Sequence, residues 1–102
     1  MAEFLDGKVT AVFGTHTHVQ TADARVLANG TAAVTDVGMV GADHSILGRT
    51  VESVVKKFVT GMPVRLPVQE TGVIRLDGAV LSYDSSTGRA ESCKTFSEYI
   101  NL

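Results

Sequence analysis

A chain of 102 residues, 44% apolar and 20% charged, is one domain's length and too apolar for intrinsic disorder. Nine Lys and Arg against eleven Asp and Glu give a net charge of −2, which leaves no surplus of cations for a strong nucleic-acid grip. The single cysteine, Cys93, excludes an internal disulfide, no apolar run approaches the roughly 20 residues of a membrane span, and the N-terminus lacks a signal-peptide pattern, so a cytoplasmic protein without a membrane partner is expected.

Valine (15) and threonine (11) dominate the composition and favour strands wherever turn residues bracket them. In chain order, Met1 to Leu5 reads as the last turn of a helix, closed by Asp6-Gly7. Val9 to Phe13 is a β-rich apolar run stopped by Gly14, and residues 15–23 are polar and aperiodic, hence a loop. Asn29-Gly30 between Arg25–Leu27 and Thr31–Val34 signals a hairpin with a type I′ turn. A glycine-rich loop is expected over Thr35–Gly41. The clearest helix spans Val51 to Thr60, where Val51, Val54, Val55, Phe58 and Val59 form one apolar stripe; Thr50 is placed to cap its start, and Gly61 and Pro63 end it. Strands are expected at Val64–Val68, Val73–Leu76, Ala79–Tyr83 and Ala90–Phe96, with turns at Asp77-Gly78 and Ser85–Gly88. The fold class is α/β, strand-rich, with one clear helix, and residues 1–102 are expected to form a single domain.

Chemistry concentrates in Gly14-Thr15-His16-Thr17-His18. In extended backbone, residues i and i+2 face the same side about 6.5–7 Å apart. Two imidazoles so placed beyond a strand end can each reach one of two metal ions lying ~3.5–4 Å apart. Neutral imidazole suits zinc, iron, copper and nickel, and Gly14 permits a sharp turn or a close backbone approach. The spacing alone is met equally well by two hydrated loop histidines. His44 reads as a solvated loop histidine and Cys93 as a structural thiol on a strand.

The longer string is more specific. Gly14-Thr15-His16-Thr17-His18-Val19-Gln20-Thr21-Ala22-Asp23, followed by Thr35-Asp36-Val37-Gly38-Met39, resembles the bacterial calcineurin-like metallophosphoesterases, in the subgroup with 2′,3′-cyclic-nucleotide phosphodiesterase activity. The Ile46-Leu47-Gly48 turn, the helix carrying Val54-Val55-Lys56-Lys57-Phe58 and the Pro63-Val64-Arg65 strand extend the likeness over nearly the whole chain, which matches the C-terminal portion of that family's α/β/β/α sandwich. The resemblance implies metal-dependent phosphoester hydrolysis at two divalent or trivalent ions (iron, manganese or zinc), with His16 and His18 each binding one ion. Asp36, with Gly38, is then site wall rather than ligand, and Asp23 and Gly14 support the loop; for both aspartates a turn-capping role is the plainer alternative.

The family's remaining ligands, and the Asn-His pair that acts on the leaving group, have no counterpart here: the only asparagines, Asn29 and Asn101, do not precede a histidine. No catalytic residue is therefore assigned within these residues, and the sequence reads as a C-terminal fragment of a larger metallophosphoesterase domain. Two imidazoles carry no charge to compensate two cations, so weak or single-metal binding and little activity alone are expected. The expected partners are a phosphoester in the complete domain, and a second copy or a complementary fragment covering the exposed strand edge and helix stripe. A non-catalytic metal-binding module, or a structural or oligomerisation module, is the competing function.

Overall fold

The computed structural model describes residues 1–101. The elements are helices α1 (Ala2–Leu5) and α2 (Val51–Thr60) and strands β1 (Ala11–Phe13), β2 (Arg25–Val26), β3 (Ala32–Val34), β4 (Val40–Ala42), β5 (Val73–Tyr83) and β6 (Ala90–Asn101). They make two three-stranded sheets, ordered β1-β3-β2 and β4-β5-β6. The chain is thus mixed α/β, strand-rich, with one substantial helix. Two compact units share it: Met1–Met39 with Asp77–Ser97, and Val40–Leu76 with the residues from Glu98 on. Among the described residues, no helix is long and apolar enough to cross a membrane.

In the first unit, β1 runs parallel to β3 in the register Ala11↔Ala32, Val12↔Ala33, Phe13↔Val34, and β2 is antiparallel to β3. Central β3 carries the core, with Ala32, Ala33 and Val34 all buried. Thr31, which precedes it, has no exposed surface. Its hydroxyl donates to the Val9 carbonyl (2.6 Å) and accepts from the Gly7 amide (2.9 Å). The Asp6 carboxylate takes the amides of Asn29 (3.0 Å) and Thr31 (3.3 Å). These bonds tie the one-turn helix α1, which has little stability of its own, to the hairpin loop.

That hairpin forms with a different turn from the one expected. Gly30 donates to the Leu27 carbonyl (3.0 Å) and Leu27 to the Thr31 carbonyl (2.8 Å). Only Gly30 (φ 91°) is left-handed, while Asn29 keeps a negative φ. This is a three-residue loop, a type I turn followed by a left-handed glycine, rather than a two-residue type I′ turn. The type I′ geometry occurs instead at Leu47-Gly48 in the second unit, where φ is 52° and 85° and Ile46 and Arg49 exchange both main-chain bonds (2.9 and 3.0 Å).

The expected turn at Asp77-Gly78 is absent, and β5 runs straight through it. A Cβ on Gly78 would lie 2.6 Å from the tip of the Phe96 ring, so the glycine makes room for an aromatic side chain. Asp77 is buried and accepts from the Ser97 hydroxyl (2.6 Å) and the Met39 amide (3.3 Å). A dipeptide that signals a turn locally is here recruited to pack against a neighbouring strand. The turn after β5 lies at 84–89, where Gly88 donates to the Asp84 carbonyl (2.7 Å) and Asp84 to that of Arg89 (2.9 Å).

In the second unit, β4 pairs antiparallel with β5 in the register Val40↔Leu76, Gly41↔Arg75, Ala42↔Ile74, which makes the end of the expected glycine-rich loop a strand. Val64–Val68 forms a single bridge, Val68 to Arg49, and no strand. Helix α2 has the expected bounds, and Gly61 (φ 66°) ends it by donating to the Lys57 carbonyl (2.9 Å). Thr50 occupies the cap position, but its hydroxyl pairs with the Ser53 hydroxyl (2.6 Å) and caps no amide. Of the apolar stripe only Val54 is buried; Val55, Phe58 and Val59 are 47%, 85% and 79% exposed.

Candidate metal centre

The candidate site lies in the first unit, on the loop leaving β1. Gly14 extends the β1–β3 ladder by donating to the Val34 carbonyl (3.2 Å), and its own carbonyl accepts from Val37 (3.0 Å). A Cβ here would stand 2.1 Å from the Thr35 carbonyl oxygen, so only glycine lets the two strand ends come together.

The backbone then leaves the extended form. His16 has φ 136° and His18 φ 64°, so the pleated geometry expected for this pair does not apply. Positive φ is uncommon outside glycine and costs on the order of 1–3 kcal/mol where surrounding structure enforces it. Both histidines are exposed.

The residue between the histidines is held by Asp36, two residues past β3 and only 1% exposed. Its Oδ2 accepts from both the amide (2.8 Å) and the hydroxyl (2.7 Å) of Thr17, the residue between the histidines, and its Oδ1 from the Gly38 amide (2.9 Å). Its amide donates to the Thr21 hydroxyl (2.9 Å), and its carbonyl accepts from the Thr21 amide (3.0 Å). The Thr17 hydroxyl foremost, then the Gly38 amide, hold the Asp36 carboxyl below the usual carboxylate range; burial opposes them, and the Thr17 amide and the His18 charge assist.

Asp23 laces the far end of the same loop. It accepts from the Thr21 hydroxyl (2.7 Å), the Thr35 amide (3.0 Å) and the Thr35 hydroxyl. It also pairs with Arg25 at 3.5 Å. The Thr35 hydroxyl, then the Thr21 hydroxyl and the Thr35 amide, hold its carboxyl far below the ordinary value. Gly38 (φ 96°) passes Asp77 so closely that a Cβ would lie 2.4 Å from a carboxylate oxygen. Gln20 places its amide among the carbonyls of Phe96 (3.0 Å), Gly78 (3.2 Å) and Val37 (3.3 Å).

The sequence pattern points to His16, His18, Gly14, Asp23, Asp36 and Gly38, and the structure gathers all six around one pair of strand ends. Thr17, Thr21, Gln20 and Thr35 join them; their one local signal is an aperiodic run of hydroxyl and amide side chains, which does not reveal what they bond. His44 is exposed in the second unit, and half-buried Cys93 lines an apolar cleft with Val12, Val34 and Leu81. Among the described residues no three His, Cys, Asp or Glu side chains are grouped to hold a metal. His16 and His18 fit two nitrogen donors of a metal site, whereas Asp23 and Asp36 are committed to hydroxyl and amide donors. The set fits part of a centre and does not complete one.

The YmdB-like protein family matches residues 1–96. A 2′,3′-cyclic-nucleotide 2′-phosphodiesterase of Bacillus subtilis is 51% identical over 87 residues, 85% of this chain and 33% of that protein. A putative phosphatase/phosphodiesterase of Mycoplasma pneumoniae is 40% identical over 83 residues, 80% of this chain and 29% of that one. Among solved structures, a hypothetical protein from Thermus thermophilus superposes with a TM-score of 0.87 at 40% identity, over 96% of this chain and 38% of its own. A Mycoplasma pneumoniae protein described as a novel phosphatase gives 0.88 at 33% identity, over 96% and 35%. The fold is that of part of a bacterial calcineurin-like metallophosphoesterase. The chain belongs to the YmdB-like protein family, and it spans about a third of the curated relatives it matches.

Proposed function

We propose that this chain contributes to metal-dependent phosphoester hydrolysis, with His16 and His18 as nitrogen ligands, one to each ion of a dinuclear iron, manganese or zinc centre. The carrying observation is the pair of exposed histidines held at positive φ on the loop that leaves β1, on a fold shared with a phosphatase. Strain of this kind concentrates where function needs a fixed side-chain direction. When bound, such ions supply positive charge that polarises the phosphoryl group. Within this chain, the Thr17–Asp36 bonds fix the ligand loop, and Asp23 ties it to the end of β3 through Thr35. The substrate class is a phosphodiester; the name of the Bacillus subtilis relative suggests a 2′,3′-cyclic nucleotide.

The remaining donors come from outside these 102 residues, from a complementary polypeptide segment, and the chain by itself hydrolyses slowly or not at all; that segment or a second copy covers the exposed helix stripe. A cytoplasmic setting, with Cys93 reduced, belongs to the same reading. A second reading, a non-catalytic metal-binding or structural module, is favoured by one observation: no three His, Cys, Asp or Glu side chains are grouped to hold a metal among the described residues.

The test is titration of the purified chain with Mn²⁺, Fe²⁺ or Zn²⁺, followed by assay on a 2′,3′-cyclic nucleotide. Weak metal binding that His16→Ala and His18→Ala each reduce, with negligible turnover, is expected. Brisk turnover would remove the claim of inactivity. Unchanged metal affinity in both variants would remove the ligand assignment.

A further inference from the structure

The dependence of His16 and His18 on a residue far away in sequence carries an inference that rests on their proposed role as ligands. We infer that Asp36 is a positioning residue for that pair, acting through Thr17. The Asp36 carboxylate is sealed from solvent, and it grips the residue between the two histidines by both of that residue's local donors, the amide at 2.8 Å and the hydroxyl at 2.7 Å. The Thr17 oxygen in turn accepts from the Val19 amide (3.3 Å), which closes a tight turn around His18. The chain of bonds therefore runs from Asp36 to Thr17 to Val19 and leaves His18 at φ 64°, with His16 at φ 136° on the other side of the anchor. The Gly38 amide adds a further donor to the carboxylate at 2.9 Å. Only a carboxylate meets all of them with acceptors. An asparagine would turn its NH₂ towards either Thr17 or Gly38 and oppose one donor with another. The side chain thus has a chemical reason to be Asp that is independent of touching a metal.

Outer supports of metal ligands typically account for a 10–100-fold change in metal affinity. The experiment compares the unaltered chain with Asp36→Asn, Thr17→Val and Thr17→Ser, with His16→Ala and His18→Ala as controls. Zn²⁺ affinity, the visible bands of bound Co²⁺ and the metal-free backbone NMR shifts of residues 16–18 are followed, and circular dichroism reports the fold. Asp36→Asn should weaken Zn²⁺ binding roughly 10–100-fold, alter the Co²⁺ bands and move the His16 and His18 shifts away from positive φ. Thr17→Val should do so in part, and Thr17→Ser, which keeps the hydroxyl, should restore the unaltered values. A folded Asp36→Asn variant with unchanged backbone shifts and unchanged affinity overturns the inference. If Asp36→Asn does not fold, indistinguishable Thr17→Val and Thr17→Ser variants overturn it instead. Unchanged Zn²⁺ affinity in the two histidine variants is the separate failure of the ligand assignment, and the metal-free shifts still decide what Asp36 does.

Discussion

Gly14 and Thr35 cross so closely that the missing Cβ of the first would lie 2.1 Å from the carbonyl oxygen of the second. Because that oxygen belongs to the backbone, no rotamer change relieves the clash. Gly14→Ala should destabilise the chain by roughly 1–3 kcal/mol and shift the histidine loop, since one strand end must move. Urea denaturation, with Zn²⁺ titration alongside, measures both effects. A stability within error of the unaltered chain would show that the two ends have room to part.

Stability and ligand function should pull in opposite directions at His18. A left-handed L-residue costs roughly 1–2 kcal/mol relative to its right-handed form, and glycine escapes most of that cost while losing more chain entropy on folding. His18→Gly should therefore leave stability unchanged or raise it by up to about 1 kcal/mol, while metal affinity falls. Thermal unfolding beside metal titration checks both. A clear loss of stability would mean that the imidazole has a structural role outweighing its backbone strain.

Acid should act on the loop through Asp23. Its carboxyl titrates well below the usual carboxylate range in the folded chain, because the hydroxyls of Thr35 and Thr21 and the Thr35 amide bond to the charged form. A group whose folded value is depressed contributes stability above its unfolded value, near 4, and loses that contribution progressively as pH falls towards the folded one. Asp23→Asn should lower stability at pH 7 and flatten the decline below about pH 4. Denaturation midpoints measured from pH 7 down to pH 2 give the comparison. Parallel curves for the two proteins would contradict it.

Exposed and buried positions on α2 should respond differently to substitution. Val54 is buried, and Val54→Ala should cost about 1–2 kcal/mol for two lost methyl groups and the space they leave. Phe58, 85% exposed, contributes little to the isolated fold, so Phe58→Glu should change stability by less than about 0.5 kcal/mol. The same substitution should reduce association of the chain with itself or with a covering partner. Analytical ultracentrifugation at high concentration reads that effect, and a monomeric unaltered chain would oppose a role for this face in assembly.

What the sequence discloses follows the range of the interactions involved. Helix α2 was legible to the residue because its determinants, the valine and phenylalanine stripe and the Gly61 stop, are local. Asp77-Gly78 misled because a turn dipeptide also serves where a strand must accept the Phe96 ring from its neighbour. The Ile46-Leu47-Gly48 turn enters only through the resemblance, because leucine by itself gives no warning of positive φ. At the site, His16 and His18 were legible as residue types and by their spacing. Their backbone conformation was not, because the bonds to the residue between them come from Asp36, on the far side of a hairpin. Thr17, between the histidines, carries no local sign that the Asp36 carboxylate binds it.

The bare row of Val55, Phe58 and Val59 bears on how long such a chain persists in a living cell. Contiguous apolar side chains open to water are the surface that chaperones and proteases recognise, and small differences in cover translate into several-fold differences in abundance. With the proposed complementary segment or second copy over α2, steady-state amounts of this polypeptide should accordingly rise on its co-expression and fall to rapid turnover without it.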